Sequence, residues 1–145
     1  MHVKTQILNR VVTLLTGLDT TGNNVFQATE HPETPDTMPG ITISFGAEGN
    51  IGGSLRATEK SLALKIGITV KGDDHVVINQ VHSEVESALY GDFVNGGYLN
   101  GLATNLIYSV SRRTHNEKAA LKHTVLDVEY KVEYQTEDGN ADESV

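Results

Sequence analysis

Cysteine and tryptophan are absent from the 145 residues, proline occurs three times, and aromatic residues make up 6%. Without cysteine there are no disulfides, thiol nucleophiles or thiolate metal sites. With so few rings there is little to stack on nucleobases or sugars. Positive charge is also scarce, 11 Lys and Arg against 19 Asp and Glu, for a formal net charge of −8. A dedicated nucleic-acid surface needs the opposite balance, because it must neutralise phosphate. No apolar run approaches the ~18 residues of a membrane span. Met1, His2, Val3 and Lys4 lead into an amphipathic pattern and not the continuous apolar stretch of a secretory signal. The expectation is a chain that folds in a cytoplasm.

What is present, 38% hydrophobic and 21% charged residues, suits one globular domain of this length. The acid is uneven. Glu137, Asp138, Asp142 and Glu143 fall without a compensating base in the last eleven residues, which read as a flexible, solvated tail. The expected division is a single domain over 1–134 and an acidic tail over 135–145, whose removal should leave melting nearly unchanged.

Val3, Ile7, Leu8, Val11, Val12, Leu14, Leu15 and Leu18 recur at helical spacing and predict an amphipathic helix over 3–18. A short strand is expected at 24–29 and a proline-rich loop at 31–38. Ile41, Ile43 and Phe45 alternate with Thr42 and Ser44 in a half-buried strand over 40–45. Gly46, Gly49, Gly52 and Gly53 then suggest a mobile loop over 46–58. The clearest period of two spans 60–71, where Leu62, Leu64, Ile66, Ile68 and Val70 share one face. Asp73 and Asp74 offer a cap for a second helix, in which Ile78, Val81, Val85, Ala88 and Leu89 recur up to about Tyr90. A loop at 91–101 follows, then a strand with Leu106, Tyr108 and Val110 on one face, a turn at 114–117, and a last strand over 121–134.

The predicted order is α-β-β-β-α-β-β and the class α+β, with a single mixed or antiparallel sheet of about five strands and two helices packed on one face. Fourteen residues of strand span ~46 Å, against a diameter of ~38 Å for a compact chain of this size. The last strand must therefore bend, carry a bulge, or pair with a neighbouring subunit.

Residues suited to chemistry are few. The glycines at 46–53 lack both the dinucleotide fingerprint and the Gly-Lys-Ser/Thr ending of a phosphate loop. His75, Asn79, His82 and Glu86 fall within about 60° on a helical wheel. The two histidines are nevertheless about 10.5 Å apart along the axis, too far to share an ion, and His82 with Glu86 supplies only two ligands. No Gly-x-Ser-x-Gly elbow occurs. The expectation is a non-enzymatic protein with no catalytic, cofactor or metal residues and no cofactor. The turn from Arg112 to His123 is the polarised feature, with Arg112, Arg113, Lys118 and Lys122 against one acid, Glu117, plus His115 and His123. It suits docking onto an acidic surface.

The helix ILNRVVTLLTGL, the strand MPGITISFG, the strand and helix LALKIGITVKGDDHVVINQVHSEVESALYGD and the closing strand TVLDVEYKVEYQTE follow in that order. Together they resemble the tail terminator proteins of long-tailed bacteriophages, the minor tail protein U type, up to about Glu137. The resemblance implies a non-enzymatic virion protein, assembled in the bacterial host cytoplasm. It implies a homohexameric ring at the head-proximal end of the tail that caps the tail tube, stops its polymerisation and joins it to the head connector. The implied partners are copies of itself, the tail tube protein and the head-tail connector protein, with transient non-specific proximity to DNA in the channel and no membrane. The alternatives are a neck, head-completion or other tail-assembly protein of related fold, and a small-ligand or metal-binding domain. Exposure arguments mark three sets of candidate subunit or partner contacts. They are the basic turn Arg112, Arg113, His115, Lys118 and Lys122; the glycine stretch Gly49, Asn50, Ile51, Gly52 and Gly53; and the polar strand face Asp127, Glu129 and Lys131. Reversing Arg112 and Arg113 together is expected to weaken assembly and leave the fold intact.

Overall fold

Val3, Ile7, Val11 and Leu15, spaced by four, are fully buried along one stripe of helix α1 (Val3–Leu15). The computed structural model describes residues 2–27, 38–54, 57–116, 122–137 and 140–144. The His2 ring accepts from the Lys4 N–H at 2.9 Å and caps the helix start. The helix stops at Leu15, three residues short of the apolar pattern. Gly17 adopts a φ of 88°, a left-handed conformation that no helix continues, and the Thr16 hydroxyl turns back onto the Val12 carbonyl.

Strand β1 (Val25–Gln27) runs parallel to the start of β2 (Gly40–Ser54), and β2 pairs antiparallel with β3 (Ala57–Lys71). Gly72, at a φ of 64°, turns the chain, and Asp74 caps helix α2 (His75–Gly91) by accepting from the Val77 N–H at 3.1 Å. Ile78, Val81, Val85 and Leu89 form its buried stripe. A two-residue ladder, β4 (Phe93–Val94) with β5 (Gly97–Tyr98), lies within the expected loop. Then come β6 (Asn105–Asn116), β7 (His123–Glu137) and β8 (Asn140–Ser144). The main sheet has the order β1-β2-β3-β7-β6, with β8 also on β7. Both helices contribute to one core with the inner face of the sheet, which carries Ile43, Leu64, Ile66, Val128, Tyr130 and Val132. The α+β class and the helix and strand order of the main sheet agree with the sequence-based expectation.

Several details differ from that expectation. Residues 46–54 and 57–58 are strand and not loop, because β2 and β3 form one long hairpin with register shifts at Phe45/Glu48 and Asn50/Gly52. Glycine here serves packing. A Cβ on Gly46 would lie 2.8 Å from the Lys65 Cε and 3.2 Å from the Ala63 Cβ. Thr114, His115 and Asn116 belong to β6, so the expected turn begins later. The expected overhang of the last strand is accommodated inside the chain. β7 pairs with β3 over fifteen residues without a register shift, and with β6 and then β8 on its other side. The boundary set at 134 falls within β7, and the expected tail carries β8, whereas 138–139 and 145 lie outside the described residues. So do the prolines of the 31–38 loop, Pro32 and Pro35.

Candidate functional site

Cross-strand partners share a face, so the register identifies the face of the sheet opposite the helices. Asp127, Glu129, Lys131 and Glu133 of β7 lie between Gly67, Lys65, Ala63 and Ser61 of β3 on one side and Arg112, Val110, Ile107 and Asn105 of β6 on the other. Neither helix lies on this face. Lys65 stands opposite Glu129 and Arg112 opposite Asp127, yet among the described residues neither pair closes to an ion pair within 4.0 Å. Between them Lys65, Val110, Arg112, Asp127, Val128 and Glu129 line a groove of about 380 Å³. Two small residues shape it. The Lys65 stem crosses Gly46, and the Asp127 carboxylate leans over Gly67, 3.4 Å from where a Cβ would stand.

The bulge between Tyr108 and Val110 decides what β6 presents. A strict period of two places Leu106, Tyr108 and Val110 together. One inserted residue, Ser109, moves Val110 to the open face beside Ile107 and leaves Leu106, Tyr108, Ser111 and Arg113 on the helix side. Arg112 and Arg113, as strand neighbours, point to opposite faces, and the bulge sets Arg112 on the open one. The Arg113 guanidinium bonds the Asp73 carboxylate and the His75 ring at the start of α2. Burial works against the Asp73 charge. The hydrogen bond and charge of Arg113 outweigh it, together with His75 and His115, and hold the carboxyl below its usual range. His115 Nδ1 lies 2.6 Å from the Thr124 hydroxyl, which donates to the Gly72 carbonyl at 2.6 Å. Arg113 and His115 are therefore committed to the fold.

His75 and His82 are not brought together. His82 stacks on Tyr108 with centroids 5.9 Å apart, and its Nε2 is 3.5 Å from Glu86, an ion pair only when the ring is protonated. The Tyr108 ring meets Tyr130 edge-on at 5.8 Å, Tyr130 meets Tyr90, Tyr90 meets Tyr98, and Tyr98 meets Phe93 at 5.0 Å. This aromatic seam runs from the core to Phe93, which is 55% exposed. Burial and then the Glu86 charge push the Tyr130 hydroxyl up, but no well-formed hydrogen bond joins the two groups.

Of the expected contacts, Asp127, Glu129 and Lys131 share the open face with Arg112. Gly49, Asn50, Ile51, Gly52 and Gly53 lie along β2 at the far side of the sheet. Lys122 precedes β7, with its carbonyl accepting from the Gly72 N–H. Lys118 lies outside the described residues. The sequence reading misses the exposed apolar group Phe93, Val94, Ile107, Tyr108 and Val110. Its only trace is the apolar run interrupted at Ser109, because nothing in a Tyr-Ser-Val-Ser stretch marks a bulge.

The class these features define is an α+β protein whose sheet, among the described residues, carries its helices on one face only. Against known proteins, no family model and no curated protein matches the chain. Among solved structures it is similar to a chain of the "Virion of native gene transfer agent (GTA) particle". The identity is 19% over 91% of this chain and 92% of that one, with a TM-score of 0.48.

Proposed function

We propose that this chain is a non-enzymatic virion protein. In this reading it is a ring-forming tail terminator, six copies of which cap the head-proximal end of a phage tail tube, stop its growth and join it to the head connector. The observation that carries this reading is the bare sheet face. Among the described residues the sheet is covered by helices on one side only, with lysine, arginine and carboxylates interleaved and without ion pairs on the other, a surface suited to polar contact with adjoining subunits. The order of helices and strands over nearly the whole chain, which resembles that of tail terminators, supports the same reading. Copies of the chain, the tube protein and the connector protein are the proposed partners, with DNA passing through the channel without specific contact.

The purified protein, weighed at several concentrations and imaged by negative stain, is expected to form rings or to add to isolated tail tubes. Infected cells lacking the gene are expected to contain overlong tails. Tails of normal length joined to heads in those cells would overturn the assignment. Binding to filled heads in place of tubes would move it to a head-completion protein.

A further inference from the structure

Six large apolar side chains stand exposed among the described residues, and five gather at one margin of the sheet. Ile107, Tyr108 and Val110 lie on β6, the last strand of the sheet order. Phe93 and Val94 lie on the β4–β5 hairpin, held beside the start of β6 by the Tyr98–Ala103 bridge. At the opposite margin β1 covers only Ile41, Thr42 and Ile43 of β2. From Ser44 to Ser54 the outer edge of β2 has no strand partner among the described residues. An edge this long invites another strand.

The two margins fit one another in three respects. In length, β6 has twelve residues and the uncovered part of β2 has eleven. In charge, β6 brings Arg112, which has no ion pair among the described residues, and Ser44–Ser54 holds no cation to repel it. In bulk, Gly49, where a Cβ would meet nothing within 4 Å, leaves room for the large side chains of β6. Direction agrees as well. Each successive pair from β2 through β3 and β7 to β6 is antiparallel. Two copies set side by side in the same sense therefore bring β6 of one against β2 of the next in an antiparallel pair.

Resting on the ring reading above, we infer that the β6 edge of one copy adds to the Ser44–Ser54 edge of the next copy, so that one sheet continues from subunit to subunit. The contact joins two different surfaces, so it propagates head to tail and closes when the rotation suits.

Gly49→Lys and Val110→Lys test it. A Cβ on Gly49 meets nothing within 4 Å, and Val110 is 53% exposed, so circular dichroism of both variants should match the wild type. Each alone is expected to raise the assembly midpoint by about tenfold or more. Their equimolar mixture should stop at dimers, because one intact edge of each kind remains. A second test uses the absence of native cysteine. A chain carrying both Asn50→Cys and Val110→Cys should give a ladder of disulfide-linked multimers on oxidation, and each single variant should give none. Wild-type assembly by either lysine variant alone, or disulfide dimers from Val110→Cys alone, would overturn the edge assignment while leaving the ring standing. Wild-type protein that stays single at every concentration and ignores tubes would bring down both.

Discussion

Tyr130 and Tyr134 stand four residues apart on the same face of β7, and both are fully buried. Their hydroxyls fare differently. Tyr134 donates to the Glu48 carboxylate at 2.6 Å, whereas the Tyr130 hydroxyl has no hydrogen bond. A satisfied buried hydroxyl stabilises modestly, and an unsatisfied one costs its desolvation. Tyr134→Phe is therefore expected to lower stability by about 1 kcal/mol, and Tyr130→Phe to leave it unchanged or raise it by up to about 1 kcal/mol, as read by urea denaturation. Arg10 and Asp92 form the other decisive pair, with two hydrogen bonds at 2.7 and 2.9 Å tying α1 to the end of α2. The Arg10 hydrogen bonds hold the Asp92 carboxyl below its usual 3.8, against the opposing effect of burial. The folded value is depressed, so the pair's contribution is complete above the unfolded value and is lost as pH falls through the folded one. The stability gap between wild type and Arg10→Gln should be constant near neutral pH and shrink below about pH 4, followed by denaturant titration at each pH.

At the scale of elements, periodicity was legible where a segment has one covered side. Val3, Ile7, Val11 and Leu15 reveal α1, and the alternation from Leu62 to Val70 reveals β3, because each pattern follows a physical face. Asp74 was legible as a cap, and Asp74→Ala should cost about 1 kcal/mol in thermal denaturation. Glycine misled in β2. Propensity there reflects side-chain packing on a pleated surface, whereas Gly46 is selected by the close approach of Lys65 and Ala63. The alternation of Asp127, Glu129 and Lys131 along β7 was legible in the sequence, whereas the faces of Arg112 and Arg113 were not, since one bulge residue reverses the faces of everything after it. Charge alone reads the last residues as a solvated tail, whereas the structure gives part of them strand pairing. Thr136 is buried, Gln135 bonds Glu59 at 2.7 Å, and α1 touches β8. Deleting 135–145 should lower the melting temperature by roughly 4 °C or more, where composition alone expects no change.

For the whole molecule, the two arginines separate assembly from folding. Arg112 is an open-face cation with no ion pair among the described residues, whereas Arg113 ties β6 to α2. Arg112→Glu should keep stability within about 0.5 kcal/mol and weaken ring formation in analytical ultracentrifugation. Arg113→Glu should lower stability, because it sets an acid against Asp73. The joint reversal therefore confounds the two effects. The register shifts of the sheet all lie in its flanks, between β2 and β3, β6 and β7, and β7 and β8, while β3 meets β7 in fifteen uninterrupted steps. Irregularities concentrate bending and twist where they occur. The centre thus behaves as a stiff keel and the flanks as separate wings. Any adjustment to a docked neighbour is expected in the wings, and deuterium uptake should be slowest along the keel.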